Sequence, residues 1–277
     1  MTLLQQLQAQ GLDELANKVA KLAVSLNTRK PLLVAYSGGV DSSCLLSLAH
    51  QILGNEVLGI IADSPSLPRR SLAAAIEQAK KINVLLEILN TGEFEDSNYV
   101  ANPPNRCYFC KAELFDQMNH IAAQRGYAAI AYGENADDPP HLRPGSAAAQ
   151  AFSVVAPLRE AGLGKNEVRT LAKLLGLSSA ELPAQPCLSS RISHGIPVTR
   201  EAIAMVERAE EALHDLGFQI VRVRLMSPSP AKALIQVAPA ELPKLQGLKT
   251  LAFSALKTAG FEDIAIDPEG YRGAGLL

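Results

Sequence analysis

Three cysteines in two separate segments carry the clearest chemical signal of this 277-residue chain. Cys107 and Cys110 form a C-x-x-C, which we expect where a polar loop meets a helix, and Cys187 opens the donor-rich segment Cys187–Gly195. Thiolates in such an arrangement bind zinc or an iron–sulfur cluster, or they act as independent redox or nucleophilic groups. All three roles remain open on the residues alone.

Ligand counting separates the metal alternatives. Zinc prefers four protein ligands, so His141 or His194 would have to complete a zinc site. An iron–sulfur cluster held by three thiolates instead leaves one iron open, and that iron can bind a substrate or an extra sulfide. Cys44 lies among leucines in a predicted helix, where a core position is expected.

A glycine-rich turn is the second chemical signal. Pro31–Tyr36 is an apolar run typical of a buried parallel strand, and Ser37-Gly38-Gly39 turns the chain into a predicted helix. A strand, a glycine turn and a helix N-terminus form an anion cradle, which predicts phosphate as the ligand. Side chains in the first helical turn are expected to act as capping groups. The residues expected to form the cradle are Ser37, Gly38, Gly39, Asp41, Ser42 and Ser43.

The motif excludes the common phosphate loops. Gly164-Lys165 is followed by Asn166, so no Walker-type loop is present, and the dinucleotide G-x-G-x-x-G is absent. The run Ser37–Ser42 instead resembles the S-G-G-x-D-S loop of the PP-loop ATP pyrophosphatases, which cleave ATP between its α and β phosphates. The bland alternative is an ordinary glycine turn between a strand and a helix.

Composition narrows the class of protein. The formal net charge is −2, which argues against a protein whose main task is to hold nucleic acid, and tryptophan is absent. Four cysteines do not suggest a disulfide framework. No apolar run reaches membrane-spanning length, and the first ten residues lack a signal-peptide pattern. We therefore expect a cytoplasmic protein with neither a membrane nor a nucleic-acid partner.

Alternating strand and helix patterns predict a parallel, doubly wound α/β sheet. Ser64 follows the second predicted strand, at the sheet edge where nucleotides bind, and is a candidate binding residue. Residues 90–106 read as a long polar loop. We place a domain boundary at Pro197, so that residues 1–196 form the α/β domain and residues 197–277 a small α+β domain. The predicted elements of the latter are a helix over 200–216, strands over 219–225, 233–237 and 263–266, and a helix over 239–259.

Arginines near the predicted domain boundary and in the smaller domain could bind an anion. Arg222 and Arg224 share one face of a predicted strand and, with Ser190 and Arg191 of the preceding domain, could clamp a phosphate or carboxylate. The competing interpretation is a solvated strand face. Asp267 belongs to a polar cluster after the last predicted strand.

Five runs together resemble the LarE family, in the same order and over nearly the whole chain. LarE proteins are ATP-dependent sulfur transferases that make the nickel-pincer nucleotide cofactor of lactate racemase. The resemblance implies a PP-loop domain of the adenine nucleotide alpha hydrolase-like fold, a following α+β domain and a homo-oligomer. The runs are Asn102–Lys111 (N-P-P-N-R-C-Y-F-C-K), Arg143-Pro144-Gly145, Cys187–Arg191 (C-L-S-S-R), Val221–Arg224 (V-R-V-R) and Asp267–Arg272 (D-P-E-G-Y-R).

The family implies a reaction on a small nucleotide. ATP with Mg²⁺ activates a carboxylate of pyridinium-3,5-biscarboxylic acid mononucleotide as an acyl-adenylate, pyrophosphate leaves, and sulfur then displaces AMP to give a thiocarboxylate. The second carboxylate reacts likewise. The residues expected to contribute to catalysis are Cys187, Asp267 and Arg224. Those expected to bind ATP or substrate are Ser37, Gly38, Gly39, Asp41, Ser42, Ser43, Ser64, Arg143, Ser190, Arg191 and Arg222.

Two sulfur sources occur in the family. In one branch the cysteine matching Cys187 gives up its own sulfur and becomes dehydroalanine. In the other, cysteines matching Cys107, Cys110 and Cys187 hold a [4Fe–4S] cluster whose open iron carries a sulfide. All three cysteines are present here, so we predict the cluster, with the single-use route as the alternative.

One position departs from the family. Where the family tends to have A-R-I-E, this chain has Ala233-Leu234-Ile235-Gln236, so an acidic contact there is in doubt and Asp267 is predicted to matter more.

Other classes are a tRNA thiolase, which uses the same loop and sometimes a three-cysteine cluster, an ATP-dependent amide synthetase, and a non-catalytic nucleotide- or zinc-binding protein. The low charge argues against the first of these. The lack of a glutaminase-like N-terminal cysteine argues against the second.

Overall fold

The structure is a computed structural model that describes residues 2–139, 144–183 and 185–272. The chain forms two compact units, each assembled from separate stretches. The first unit comprises Met1–Asp63, Arg69–Thr91 and Cys107–Pro183, and the second Ser64–Pro68, Gly92–Arg106 and Ala184–Leu277. A domain boundary at residue 197 remains a prediction, and the compact units differ from it because two short stretches and the Cys187 loop belong to the second unit.

Strands and helices alternate through most of the first unit. Numbered along the chain through both units, the strands are β1 (Leu32–Ala35), β2 (Val57–Asp63), β3 (Leu86–Asn90), β4 (Ala129–Tyr132), β5 (Val221–Pro228), β6 (Ala231–Val237) and β7 (Asp263–Ile266). The helices are α1 (Leu3–Ala9), α2 (Asp13–Asn27), α3 (Val40–Leu53), α4 (Arg69–Lys81), α5 (Ser97–Val100), α6 (Arg106–Arg125), α7 (Pro144–Ala151), α8 (Pro157–Glu160), α9 (Lys165–Leu174), α10 (Arg200–Asp215), α11 (Leu242–Gly247) and α12 (Lys249–Ala259).

The sheet of the first unit has the order β3-β2-β1-β4, and its strand pairs are all parallel. Helices cover both of its faces. Leu58 and Ile60 of β2 share a buried cluster with Phe115 of α6. Gly59 points to the other face, where a Cβ on it would lie 3.1 Å from Leu46 of α3. The predicted parallel α/β architecture is therefore confirmed for this unit.

The second unit holds a three-stranded sheet of order β5-β6-β7. Strands β5 and β6 are antiparallel, as predicted, and β7 pairs parallel to β6. The predicted single helix over 239–259 is wrong, because the chain forms a 3₁₀ turn, α11 and α12, with Leu248 between the two helices. Gly247 ends α11, where a glycine weakens helix continuation.

Helix α6 begins at Arg106, where the predicted loop over 90–106 ends. Cys107 and Cys110 are the second and fifth residues of this helix, at the loop–helix junction that the sequence predicts. The predicted loop over 90–106 also contains α5, which Asp96 caps by accepting from the Asn98 amide. Across the described ranges, we find no helix of sufficient length and apolar character to traverse a bilayer.

Candidate nucleotide loop and anion cavity

The turn between β1 and α3 is held by its own serines. Ser37 N–H donates to Ser42 Oγ at 3.2 Å, and Ser42 Oγ donates to the Gly39 carbonyl at 3.1 Å. Gly39 is the N-cap of α3 and no side chain caps it, so the expected capping by Asp41, Ser42 and Ser43 is wrong. The first amides of α3 lack intrahelical acceptors, which suits this end of the helix to an anion.

Two glycines permit the close packing around this turn. Gly38 has φ of +75°, and a Cβ there would lie 2.7 Å from the Ala75 side chain. Gly133, directly after β4, passes so close that its Cβ would lie 2.5 Å from the Ser42 backbone nitrogen. The loop geometry therefore depends on Gly133, a residue that the sequence interpretation did not single out.

Asp41 makes the strongest charged contact of the loop. Its carboxylate accepts from Lys165 Nζ at 2.6 Å and from Asn135 Nδ2 at 3.2 Å. Lys165 was missed by sequence reasoning, which considered it only as part of a failed Walker motif. A lysine in the first turn of a helix is unfavourable for the helix dipole, and that misfit is a usable signal of a role elsewhere.

Ser43 lies beneath the loop and is fully buried. Its hydroxyl accepts from Gln78 Nε2 at 2.6 Å, and Gln78 also contacts the Tyr36 hydroxyl at 3.3 Å. Burial raises the pKa of the Tyr36 phenol, whose hydroxyl donates to the Ala75 carbonyl. Ser43 thus helps to hold α3 in place beneath the loop, through its hydrogen bond with Gln78.

The C-x-x-C cysteines lie on one side of α6 at its N-terminal end. Residues three apart on a helix are neighbours, so the two thiols face the same way. Cys107 is exposed and Cys110 partly exposed. Cys44, by contrast, is fully buried in α3, and burial raises its pKa strongly, as suits a core thiol.

In the second unit, Cys187 precedes a 3₁₀ turn, Leu188–Arg191, and is partly exposed. Arg191 fixes this turn by donating to the Cys187 carbonyl at 2.8 Å and to the Pro186 carbonyl. The same guanidinium binds both carboxylate oxygens of Glu210, at 2.9 and 3.1 Å. Arg191 and Glu210 are both buried, so this bidentate pair anchors the backbone that carries Cys187.

Asn102 fixes the segment that follows the Cys187 turn. It is fully buried with φ of +55°, and its Nδ2 donates to the carbonyls of Ile192, Ser193 and Ile196. Its Oδ1 accepts from Arg106, which also donates to the Ser189 carbonyl at 2.9 Å. The polar run before the C-x-x-C therefore fixes the Cys187 loop, a role that its sequence did not reveal.

A cavity of about 120 Å³ lies beside this turn. Three arginines share its wall, and burial lowers the pKa of Arg222 and Arg224, with Arg191 adding a smaller repulsive effect. Arg224 donates to the Ser190 carbonyl at 3.0 Å, and the Arg222 guanidinium lies 4.9 Å from the Tyr271 ring centre. Such clustered guanidinium groups suit an anion. The lining residues are Pro186, Ser190, Arg191, Arg222, Arg224 and Tyr271.

Asp267 is connected to the arginines of the cavity through Gln236. Gln236 Nε2 donates to Asp267 Oδ2 at 2.7 Å, and Gln236 Oε1 accepts from Arg224 Nε at 2.8 Å. Asp267 also accepts from the Glu269 amide at 3.0 Å. The acidic contact that the sequence left in doubt at residue 236 is thus replaced by an amide bridge, and catalysis by Asp267 remains a prediction.

Ser64 lies deep in the second unit. Its hydroxyl donates to the buried Glu93 and contacts Ser66 Oγ at 2.7 Å. The Ser66 carbonyl accepts from the Leu188 amide at 2.7 Å. In this structure Ser64 therefore supports the Cys187 turn, and its predicted contact with a nucleotide remains untested.

The structure groups the predicted site residues in two places. The loop residues lie together in the first unit, and Cys187, Ser190, Arg191, Arg222 and Arg224 lie together in the second. Within the described ranges, no group of three or more His, Cys, Asp or Glu side chains is placed to hold a metal ion. Arg143 and His141 lie outside the described residues.

Comparison with known proteins gives consistent matches along the chain, although no protein-family model matches it. An uncharacterized protein of Synechocystis is 40% identical, covering 88% of this chain and 91% of its own length. The pyridinium-3,5-bisthiocarboxylic acid mononucleotide synthase of Lactiplantibacillus plantarum is 31% identical over 93% of each chain. A glutamine-hydrolyzing GMP synthase subunit of Methanocaldococcus jannaschii is 26% identical over 68% of this chain and 66% of its own length.

Proposed function

Because this chain belongs to the LarE family of pyridinium-3,5-bisthiocarboxylic acid mononucleotide synthases, we propose that it is an ATP-dependent sulfur transferase acting on pyridinium-3,5-biscarboxylic acid mononucleotide. One observation carries the proposal beyond the family. A single short turn holds both Cys187 and the arginine-lined cavity, because Arg191 binds the Cys187 carbonyl and also lines that cavity. A thiol and a phosphate-sized cationic pocket are the two groups that sulfur transfer to a mononucleotide needs.

The first half-reaction needs an activated carboxylate. A substrate carboxylate oxygen attacks the α-phosphorus of ATP, the bond to pyrophosphate breaks, and an acyl-adenylate forms. We propose that the PP-loop, Ser37–Ser42, and Lys165 stabilise the negative charge of the departing pyrophosphate. The ammonium of Lys165 lies on the loop already, bound to Asp41.

Asp41 also fits a Mg²⁺ site. Mg²⁺ in nucleotide sites takes one or two protein carboxylates, with phosphate oxygens and water as the remaining ligands. Asp41 provides one such carboxylate on the loop and would hold the metal there, beside the ammonium of Lys165. Mg²⁺ when bound would offset the charge of pyrophosphate.

For the second half-reaction we propose three-cysteine ligation of a [4Fe–4S] cluster. Cys107 and Cys110 fit as two ligands of one cluster, because they share a side of α6 at its N-terminal end and both are at least partly exposed. Cys187 would be the third thiolate. With three protein ligands the cluster would leave one iron open to bind a sulfide. Arg191 would keep the Cys187 backbone in place.

The alternative source is Cys187 itself. Its sulfur attacks the acyl carbon and displaces AMP, giving a thioester. Loss of the Cys187 Cα proton to a base then breaks the Cβ–Sγ bond, leaving dehydroalanine in the chain and a thiocarboxylate on the substrate. Each chain would then work once.

The remaining elements of the proposal follow the family. We propose residues 1–196 as the PP-loop domain, residues 197–277 as the sulfur-transfer and substrate domain, a homo-oligomer and a cytoplasmic location. Transfer of sulfur to tRNA is the competing activity.

Pyrophosphate release tests this proposal. Anaerobically reconstituted protein with ATP and Mg²⁺ is expected to release pyrophosphate when the biscarboxylate mononucleotide is added, and not when tRNA is added. Pyrophosphate release that depends on tRNA, or that is the same with and without either substrate, would contradict the proposal.

Iron and acid-labile sulfide per chain separate the two sulfur sources. Cys107→Ala, Cys110→Ala and Cys187→Ala are each expected to lose the cluster, while the buried Cys44→Ala control retains it. Absence of iron, with Cys187 losing the mass of one H₂S after reaction, would instead establish the single-use route.

A further inference from the structure

Gln236 occupies a pivotal position between two charged groups of the second unit. It lies on β6, opposite Arg222 in the β5–β6 register, and is 7% exposed. Its amide oxygen accepts from Arg224 at 2.8 Å and its amide nitrogen donates to Asp267 at 2.7 Å. An amide can do both at once because it carries an acceptor and two donors.

The arginines of the cavity differ in how their charge is balanced. Arg191 is neutralised by the bidentate Glu210. The hydrogen bonds that the structure gives Arg224 go to neutral oxygens, those of Gln236 and Ser190. The positive charge of Arg224 is therefore held in place by neutral contacts and remains directed at whatever fills the cavity.

We propose that Gln236 determines the anion preference of this cavity. As a neutral amide it orients Arg224 without cancelling its charge, and this favours a dianionic phosphate monoester over a monoanionic carboxylate. The inference rests on the proposed function in one respect, since the phosphate of the mononucleotide substrate is the natural occupant.

The competing residue at this position would be glutamate. A carboxylate at residue 236 would pair with Arg224 and cancel much of its charge, and it would also lie against Asp267 with the same sign. Both effects would weaken phosphate binding. Asp267 therefore acts here as a positioning residue, through Gln236.

Titration calorimetry with inorganic phosphate, and separately with acetate, tests the proposal on the full chain. Gln236→Glu is expected to weaken phosphate binding by roughly tenfold or more and the weak acetate binding by a smaller factor, because the attraction lost grows with the charge of the anion. Gln236→Leu, which keeps Arg224 charged, should lose only about two- to threefold. Gln246→Glu makes the same chemical change at an exposed position of α11 and should have no effect.

Two results would overturn the proposal. One is a Gln236→Glu protein that binds phosphate as tightly as the parent, and the other is a Gln236→Leu protein as impaired as Gln236→Glu. Should Gln236→Glu fail to fold, Asp267→Asn provides the second test, because removing that carboxylate is expected to keep or tighten phosphate binding, and a tenfold loss would contradict the account.

The assay uses neither ATP nor a sulfur source. A chain that fails to transfer sulfur but loses phosphate affinity on Gln236→Glu would contradict the proposed function and leave this inference intact.

Discussion

The loop Ser37–Ser42 and the arginine cavity, the two places where we propose that anions bind, are built in opposite ways. The loop is built from six consecutive residues, backbone amides and small side chains, and its one acidic group, Asp41, is paired with Lys165 while still partly exposed. The cavity is assembled from a turn, two strand positions and a C-terminal tyrosine, and its arginines are largely buried. Its charges are fixed by the Arg191–Glu210 pair and the Gln236 bridge.

The difference implies different vulnerabilities. A partly exposed ion pair contributes little to stability and is free to exchange partners. A buried pair must stay intact, because removing one member leaves an uncompensated charge in the interior. We therefore expect substitutions in the loop to lower activity with little loss of stability. Substitutions in the cavity should lower both activity and the free energy of unfolding.

The largest effect is expected at Arg191. Arg191→Met leaves Glu210 buried without its partner, so the free energy of unfolding should fall by about 3–5 kcal/mol. Denaturant titration measures this loss. Arg200→Met is the matched control, since its contact with Glu95 is exposed and should contribute less than about 1 kcal/mol. Equal stability of the two variants would refute the distinction between buried and exposed pairs.

Gly133 is expected to show the next largest effect. Gly133→Ala would force a Cβ against the Ser42 backbone, which should cost about 1–3 kcal/mol and abolish substrate-dependent pyrophosphate release. Gly247→Ala is the control, because a Cβ there meets nothing within 4 Å and alanine favours a helix. An active Gly133→Ala protein of unchanged stability would show that the loop tolerates displacement.

Lys165 should affect function with little effect on stability. Lys165→Met removes a cation from the loop, so the KM for ATP is expected to rise about tenfold, while the free energy of unfolding changes by less than about 1 kcal/mol. Lys173→Met, in the same helix but paired with the exposed Glu181, should leave the KM for ATP unchanged. Steady-state kinetics with varied ATP decide between these outcomes.

A small pH effect is expected at Tyr36. Burial raises the pKa of its phenol, so the unfolded chain releases this proton at a lower pH than the folded protein does. Its contribution to stability is therefore complete below about pH 10 and decreases as the pH rises further. Tyr36→Phe should reduce the alkaline decline in unfolding free energy. An unchanged alkaline slope would mean that the buried phenol contributes nothing to it.

Local sequence features predicted the first unit well. The apolar runs before the glycine turn and after α3 specify buried parallel strands, and their alternation with helices sets the sheet. Helix α5 was missed because polar residues and two prolines suggested an uninterrupted loop over 90–106. The break at Leu248 was missed because an apolar periodicity continues across it.

The grouping of the candidate site residues was predictable where they are contiguous in sequence. Ser37–Ser42 form a single run, whereas the cavity depends on the pairing of β5 with β6 and on Tyr271, which lies beyond β7 in the sequence. Their two-residue spacing on one strand indicated Arg222 and Arg224 as an anion clamp, and the resemblance to a family supported that interpretation. Neither signal revealed the Asn102 contacts or the Gln236 bridge, because those pairs form only when distant segments pack together.

Counting sulfur atoms delivered per chain tests the central claim most directly. Protein incubated with ATP, Mg²⁺, sulfide and the biscarboxylate mononucleotide would be analysed by mass spectrometry of the nucleotide, alongside pyrophosphate. We expect thiocarboxylate product with one pyrophosphate per sulfur transferred, in excess over protein if a three-cysteine cluster supplies the sulfide. Two results would contradict the account. One is that the mononucleotide keeps both carboxylates while ATP is consumed, and the other is that ATP is not consumed at all.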